Sequence, residues 1–123
     1  GAIELVGADY GALGVLDQTG KKINLVVFKT APDAPPNAIW GLIEEHGGSL
    51  DIEPFPTLNN ILREGKTLRL IDTQLPFAVR LIFNSQLNGR AALVAPVRVG
   101  GQSFGLLGFV WSKELENGFA DHE

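Results

Sequence analysis

The stretch that most constrains this chain runs from Arg90 to Lys113, R-A-A-L-V-A-P-V-R-V-G-G-Q-S-F-G-L-L-G-F-V-W-S-K, where two apolar runs flank Gly100-Gly101. A glycine pair supplies the positive φ that a two-residue primed turn requires at both central positions, so the stretch reads as a β-hairpin. On the first arm Leu93, Ala95 and Val97 alternate with Ala92, Val94 and Pro96. On the second, Phe104, Leu106 and Val110 stand against Leu107, Phe109 and Trp111. Arms that are apolar on both faces belong in the middle of a sheet covered on both sides. Pro96 has no N–H to give to a ladder, so a central strand that contains it demands a bulge or an unpaired position.

The rest of the chain supplies elements around that hairpin. Ala2 to Ala8 reads as the last turn of a helix with Gly7 as its cap. Tyr10 to Leu16 is a strand in which Gly11 and Gly14 imply close packing by a neighbour. Asp17-Gln18-Thr19-Gly20 turns the chain into a second strand, Ile23 to Thr30, whose Lys21, Lys22 and Lys29 suit a guarded sheet edge. The three prolines of Ala31 to Asn37 make a loop. It launches a helix over Pro36 to His46, striped by Ile39, Leu42, Ile43 and His46 and stopped by Gly47-Gly48. Leu50 to Glu53 reads as an extended link. Pro54-Phe55-Pro56 then opens a second helix, with Leu58, Ile61 and Leu62 on one face and Gly65 as its stop. Thr67 to Ile71 alternates as a half-buried strand, and Asp72 or Thr73 caps the next element, a helix from Pro76 to about Asn84. Asn88-Gly89 turns into the hairpin, and the acidic tail after Lys113 reads as a helix cut short. Strands at both ends of a helical insertion make the class α+β.

At 123 residues the chain makes one domain around one core. Ten Lys and Arg against fourteen Asp and Glu leave a net charge of -4 with no basic stripe, so no nucleic-acid surface is expected. No apolar run approaches the roughly 18–20 residues that cross a bilayer, and no charged leader precedes a signal-like core, so no membrane contact by this segment is expected. The absence of cysteine removes disulfides, thiolate catalysis, thioether chromophore attachment and Cys-ligated metal together. With no methionine and Gly1-Ala2 at its start, the sequence is expected to be an excised piece of a longer chain.

The pattern V-A-P-V-R-V-G-G-Q-S-F-G-L-L-G-F, taken with the earlier G-A-D-Y-G-A-L-G-V-L-D, resembles the GAF family of small regulatory sensor domains. The resemblance implies a GAF-like α+β fold: a central antiparallel sheet of five to six strands, ordered 2-1-5-4-3 for the five read here, with helices on both faces, terminal helices truncated, and a ligand cavity under helices and loops. It implies a single sensor domain over 1–123 in a cytoplasmic bacterial signal-transduction protein, a sensor histidine kinase of a two-component system or a related transducer. The domain would form a homodimer with a covalently attached output domain, and a small-molecule ligand would bias the arrangement of its helical roof. Two other readings stay open. A degenerate member could have its cavity filled by side chains and serve only in dimerisation or scaffolding, and a PAS-like or profilin-like sensor would differ in strand order. Some similar domains of bacterial sensor kinases bind haem through a histidine shortly before the fourth strand. This chain has Gln86-Leu87-Asn88-Gly89 there.

The family's roof would lie over Ile52 to Leu62 and Asp72 to Leu87. The candidate ligand-binding residues are therefore Phe55, Phe77, Leu81 and Phe83 as apolar walls, with Asp72, Arg80 and Asn84 as the polar groups among them. Each has a plainer reading: Asp72 as a helix cap, Arg80 as a solvent-facing side chain, the apolar residues as ordinary core. His46 beside Glu44 and Glu45 lacks the further ligands a metal needs, His122 stands near the end of the chain, and Trp40 and Trp111 read as core. Asp17, Asp33 and Asp51 are scattered among turns, so no catalytic set is present and neither enzyme activity nor a cofactor is expected.

Overall fold

The computed structural model describes residues 7–34, 38–45, 47–86 and 88–113. In chain order its elements are β1 (Tyr10–Leu16), β2 (Lys22–Thr30), α1 (Ala38–Glu45), β3 (Ser49–Asp51), α2 (Pro56–Glu64), β4 (Leu68–Ile71), a single 3-10 turn at Asp72–Gln74, α3 (Phe77–Gln86), β5 (Ala91–Val99) and β6 (Gln102–Trp111). The strands form one six-stranded sheet in the order β3-β2-β1-β6-β5-β4, every neighbouring pair antiparallel. This is the expected order with one strand added outside β2. The addition corrects the reading of Leu50 to Glu53 as a mere link, because Ser49, Leu50 and Asp51 pair with Asn24, Ile23 and Lys22. Three residues are too few to show alternation, so the strand leaves no pattern in the sequence.

The hairpin is formed as its glycines require, with φ of 60° at Gly100 and 82° at Gly101. Valine strongly resists this left-handed backbone. Replacing both glycines with valine is expected to cost about 1 kcal/mol or more at each and to lower the melting temperature by several degrees, read by circular dichroism.

Pro96 stays in register opposite Leu106, and the irregularity in this ladder falls at Val97/Arg98 instead. The Asp72 amide donates to the Arg90 carbonyl across the Ile71–Ala91 pair, so Ala92 and every second β5 residue after it turn their backbone groups toward β4, while the Arg90 amide itself donates to the Trp111 carbonyl of β6. Pro96 is one of these. Pairing with β4 ends at Leu68 opposite Val94, so its missing N–H costs no ladder bond. The same shortness of β4 explains why the tip of the hairpin is not buried on both faces as expected. Where the hairpin runs past its flanking strands β4 and β1, Val97, Val99 and Phe104 are exposed, while Ala91, Ala92, Val110 and Trp111 at its base are buried.

The two sheet faces carry separate apolar clusters. Phe109, Trp111 and Ala91 pack with Ala8 on one, joined by the partly buried Ile71, Leu93 and Leu107. The other bears Tyr10, Ala92 and Val110 under Phe83 of α3, and Leu106 and Ile23 under Ile61 of α2. Both α2 and α3 therefore roof the same face. α2 begins at Pro56 and ends at Gly65, whose φ of 69° and N–H to the Ile61 carbonyl (2.9 Å) make the expected left-handed stop. α1 buries Ile43. The terminal helices expected at Ala2 and after Lys113, together with His46 and His122, lie outside the described residues, although Gly7 has the positive φ expected of it.

Two glycines let the central strands close up. Ile23 lies where a Cβ on Gly14 would stand, and a Cβ on Gly105 would overlap the Gly14 carbonyl itself. At the other end of β1 the Asp9 carboxylate accepts from the amide (2.5 Å) and hydroxyl (2.8 Å) of Ser112, fastening the start of β1 to the end of β6.

Candidate functional site

β4 runs directly into the 3-10 turn, and this sets Asp72 against the first residues of β5. The Arg90 Nε donates to Asp72 Oδ2 at 2.6 Å, and the Asn84 amide donates to the same oxygen at 3.2 Å and to the Gly89 carbonyl at 2.7 Å. Asp72 is only 4% exposed, whereas the Arg90 side chain is 41% exposed. Burial pushes the Asp72 carboxyl up, but the hydrogen bonds from Arg90 and Asn84 and the Arg90 charge outweigh it, and the group sits below its ordinary value of 3.8. Asp72 is therefore ionised at neutral pH. Its second oxygen, Oδ1, is buried and has no hydrogen-bond partner among the described residues. Asp72 is itself the first residue of the 3-10 turn, whose cap, Ile71, makes no side-chain bond, and its own side chain is engaged by Arg90 and Asn84.

A depressed folded-state value makes Asp72 a source of acid sensitivity. Its contribution is whole above the ordinary value of 3.8 and is lost as pH falls through the lower folded one. Urea denaturation at a descending series of pH values should show stability falling more steeply below about 4 in the parent than in Asp72→Asn.

α3 is apolar nearly all round, and the structure decides which residues face in. Phe83 is buried against Tyr10, Ala92 and Val110, with Asn84 beside it. Phe77 is 67% exposed and Leu81 52% exposed, and the Arg80 guanidinium lies over the Phe77 ring, 5.9 Å from its centroid. Phe55 is on a different element, just ahead of α2, where its carbonyl accepts from the amide and side chain of Asn59. Of the seven candidates, Asp72, Phe83 and Asn84 come together, joined by Arg90. Phe77 and Arg80 form an outer pair, with Leu81 also on the exposed side and Phe55 elsewhere. Arg90 escaped the sequence reading because only the β4–β5 register brings it to Asp72.

This arrangement can hold a hydrogen-bond donor at Asp72 and an anion at the half-exposed guanidinium of Arg90, and it contains no nucleophile paired with a base. Among the described residues no group of three or more acidic or histidine side chains could hold a metal ion, and no helix is long and apolar enough to cross a membrane.

The model of the GAF domain family matches residues 1–123. No curated protein matches the chain. Among solved structures, a GAF domain/HD domain protein from Geobacter sulfurreducens is similar at 19% identity and a TM-score of 0.57, over 86% of this chain and 64% of that one. The GAF domain of an Acinetobacter phosphoenolpyruvate-protein phosphotransferase aligns at 13% identity and a TM-score of 0.64, over 98% and 64% of the two chains. A methyl-accepting chemotaxis protein aligns at 13% identity and a TM-score of 0.62, over 95% and 71%. The chain thus spans 64% of the length of the first two, and at these identities the likeness is one of fold.

Proposed function

The chain belongs to the GAF domain family, and from that premise we propose that it is the ligand-sensing module of a bacterial signal-transduction protein, with an output domain attached in the same polypeptide. Sensor and signalling proteins are where its structural neighbours occur, among them a chemotaxis protein and a protein that joins a GAF to an HD domain. A cytoplasmic sensor histidine kinase of a two-component system is the host we favour. The mechanism is differential binding: a ligand prefers one position of α3, and the shift in population is read by the attached domain.

The observation that carries this reading is the lone oxygen of Asp72. A buried acceptor without a donor costs about 1–3 kcal/mol, and a ligand N–H or O–H that reached it would recover that cost only while bound. α3 is suited to admit one, because its inward anchors Phe83 and Asn84 lie in its later half while Phe77, Val79 and Leu81 in its earlier half are exposed. A thermal-shift screen of nucleotides, cyclic nucleotides, amino acids and small aromatic acids tests it. A ligand at a hundred times its dissociation constant adds about 2.7 kcal/mol, a rise of several degrees. The rise should disappear in Asp72→Asn and shrink in Phe77→Ala and Arg80→Ala.

The exposed Phe77, Val79, Leu81 and Ile82 favour a second reading, a homodimerising scaffold. A blank screen, together with a dimer in sedimentation that Ile82→Glu dissociates, would transfer the assignment to it.

A further inference from the structure

We propose that the cleft between α2 and β4 binds a free α-amino acid with a small apolar side chain. It lies at the far end of β4 from Asp72, about 13 Å along the strand, and so is a site apart from the underside of α3. One flank of α2 contributes Thr57, Asn60, Ile61 and Glu64, and the chain entering β4 contributes Lys66, Thr67 and Leu68. The helical part of the wall follows from spacing, since positions 57, 60, 61 and 64 fall on one side of a 3.6-residue helix.

Size, floor and charge each restrict the occupant. The cleft encloses about 210 Å3, less than the roughly 300–1,000 Å3 of sites for drug-sized ligands. Its floor is Ile61, which is buried, and Leu68, which is half-buried, so one side of the occupant is apolar. Its rim carries one carboxylate, Glu64, and one ammonium, Lys66, and among the described residues neither is in an ion pair. A simple anion would face Glu64 and a simple cation would face Lys66. A zwitterion satisfies both, its ammonium on Glu64 and its carboxylate on Lys66. Thr57 and Thr67 add hydroxyls. The Asn60 carbonyl oxygen is already taken by the Arg63 guanidinium, which leaves the Asn60 NH2 as a donor for the ligand carboxylate.

The backbone between the two charges is held in place. Glu64 is the last residue of α2, Gly65 turns the chain with a φ of 69°, and Lys66 comes next on the other side of the turn. The Arg98 guanidinium lies where a Cβ on Gly65 would stand, and Ser103 donates to the Leu62 carbonyl at 2.6 Å and accepts from Arg98 at 3.1 Å. The hairpin thereby fixes the backbone turn that presents Glu64 and Lys66, so a ligand has to order their two exposed side chains but not the turn itself.

Titration of the nitrogen-15-labelled chain with L-valine or L-leucine tests the proposal. Saturable amide shifts confined to Thr57–Leu68 are expected, with millimolar or tighter affinity. Both Glu64→Gln and Lys66→Met should weaken binding about tenfold or more, as should replacing leucine by isocaproate, which lacks the ammonium, or isoamylamine, which lacks the carboxylate. Glu64 and Lys66 are exposed, so neither substitution should unfold the chain, and Glu53→Gln, whose partner is Lys21, should leave the titration unchanged. The absence of saturable shifts would overturn the proposal, and isoamylamine binding as tightly as leucine would reduce the cleft to a cation site. Shifts over Asp72–Gln86 that ignore Glu64→Gln would also refute the cleft while supporting a ligand under α3.

Discussion

Gly105→Ala is expected to lower the melting temperature by about 15 °C or to abolish cooperative unfolding, whereas Gly108→Ala, three residues along the same strand, should change it by only a few degrees. On propensity alone both changes ought to help, because alanine loses less backbone freedom on folding than glycine does. The surroundings reverse the sign at one position only. A Cβ at Gly108 meets nothing nearer than 4.0 Å, an ordinary contact, but at Gly105 it would overlap the Gly14 carbonyl oxygen and crowd the backbone of Val15. A flexible side chain could swing aside; a carbonyl in the ladder cannot. β1 and β6 must separate there, and with the neighbouring ladder bonds weakened the cost is about 4 kcal/mol or more. Calorimetry on the two variants side by side checks it, and equal melting temperatures would mean that the strands do not approach as described.

Arg90→Met should cost about 3 kcal/mol, or about 10 °C, because it removes the charge that holds Asp72 and leaves a carboxylate 4% exposed without its strongest partner. The figure lies at the lower end of the range for buried pairs, since Arg90 itself is 41% exposed and solvent screens part of the interaction. The double variant Asp72→Leu/Arg90→Met should recover much of the loss, for the expense lies in the abandoned charge more than in the missing bond. A cycle of four proteins denatured in urea gives the coupling directly. If the double variant is no more stable than Arg90→Met alone, the pair is not the anchor of this corner of the sheet.

The parts of the fold that were legible in the sequence rest on local rules. Gly100-Gly101 can hardly be anything but a primed turn between apolar runs, and Pro56 and Gly65 bracket a helix because one lacks an amide and the other tolerates a left-handed φ. The close approach at Gly14 could also be read, since a glycine inside a strand asks what fills its place. The features that stayed hidden depend on how elements meet. Arg90 reaches Asp72 across eighteen residues, by way of a register that no single strand encodes. In α3, Phe77, Leu81 and Phe83 are equally apolar, so hydrophobicity gave no ground for turning Phe83 inward and the other two out. The cleft beside α2 was missed because Glu64 and Lys66 look like ordinary surface charges until the turn at Gly65 places both on one rim.

The pairing of β1 with β6 has a further consequence for how the chain is made. Tyr10 lies opposite Val110, so β1 must wait for a partner strand that is synthesised about a hundred residues later. At about 5–20 residues per second the interval is on the order of ten seconds, during which β1 and β2 can already form a ribbon with one long side open. An open strand edge invites pairing with any other chain nearby. Here that edge is Y-G-A-L-G-V-L, and glycines at its second and fifth positions make it a poor template for amyloid-like association. Gly14, which makes room for Ile23 of β2 in the finished domain, thus also protects the nascent chain while β6 is still being synthesised.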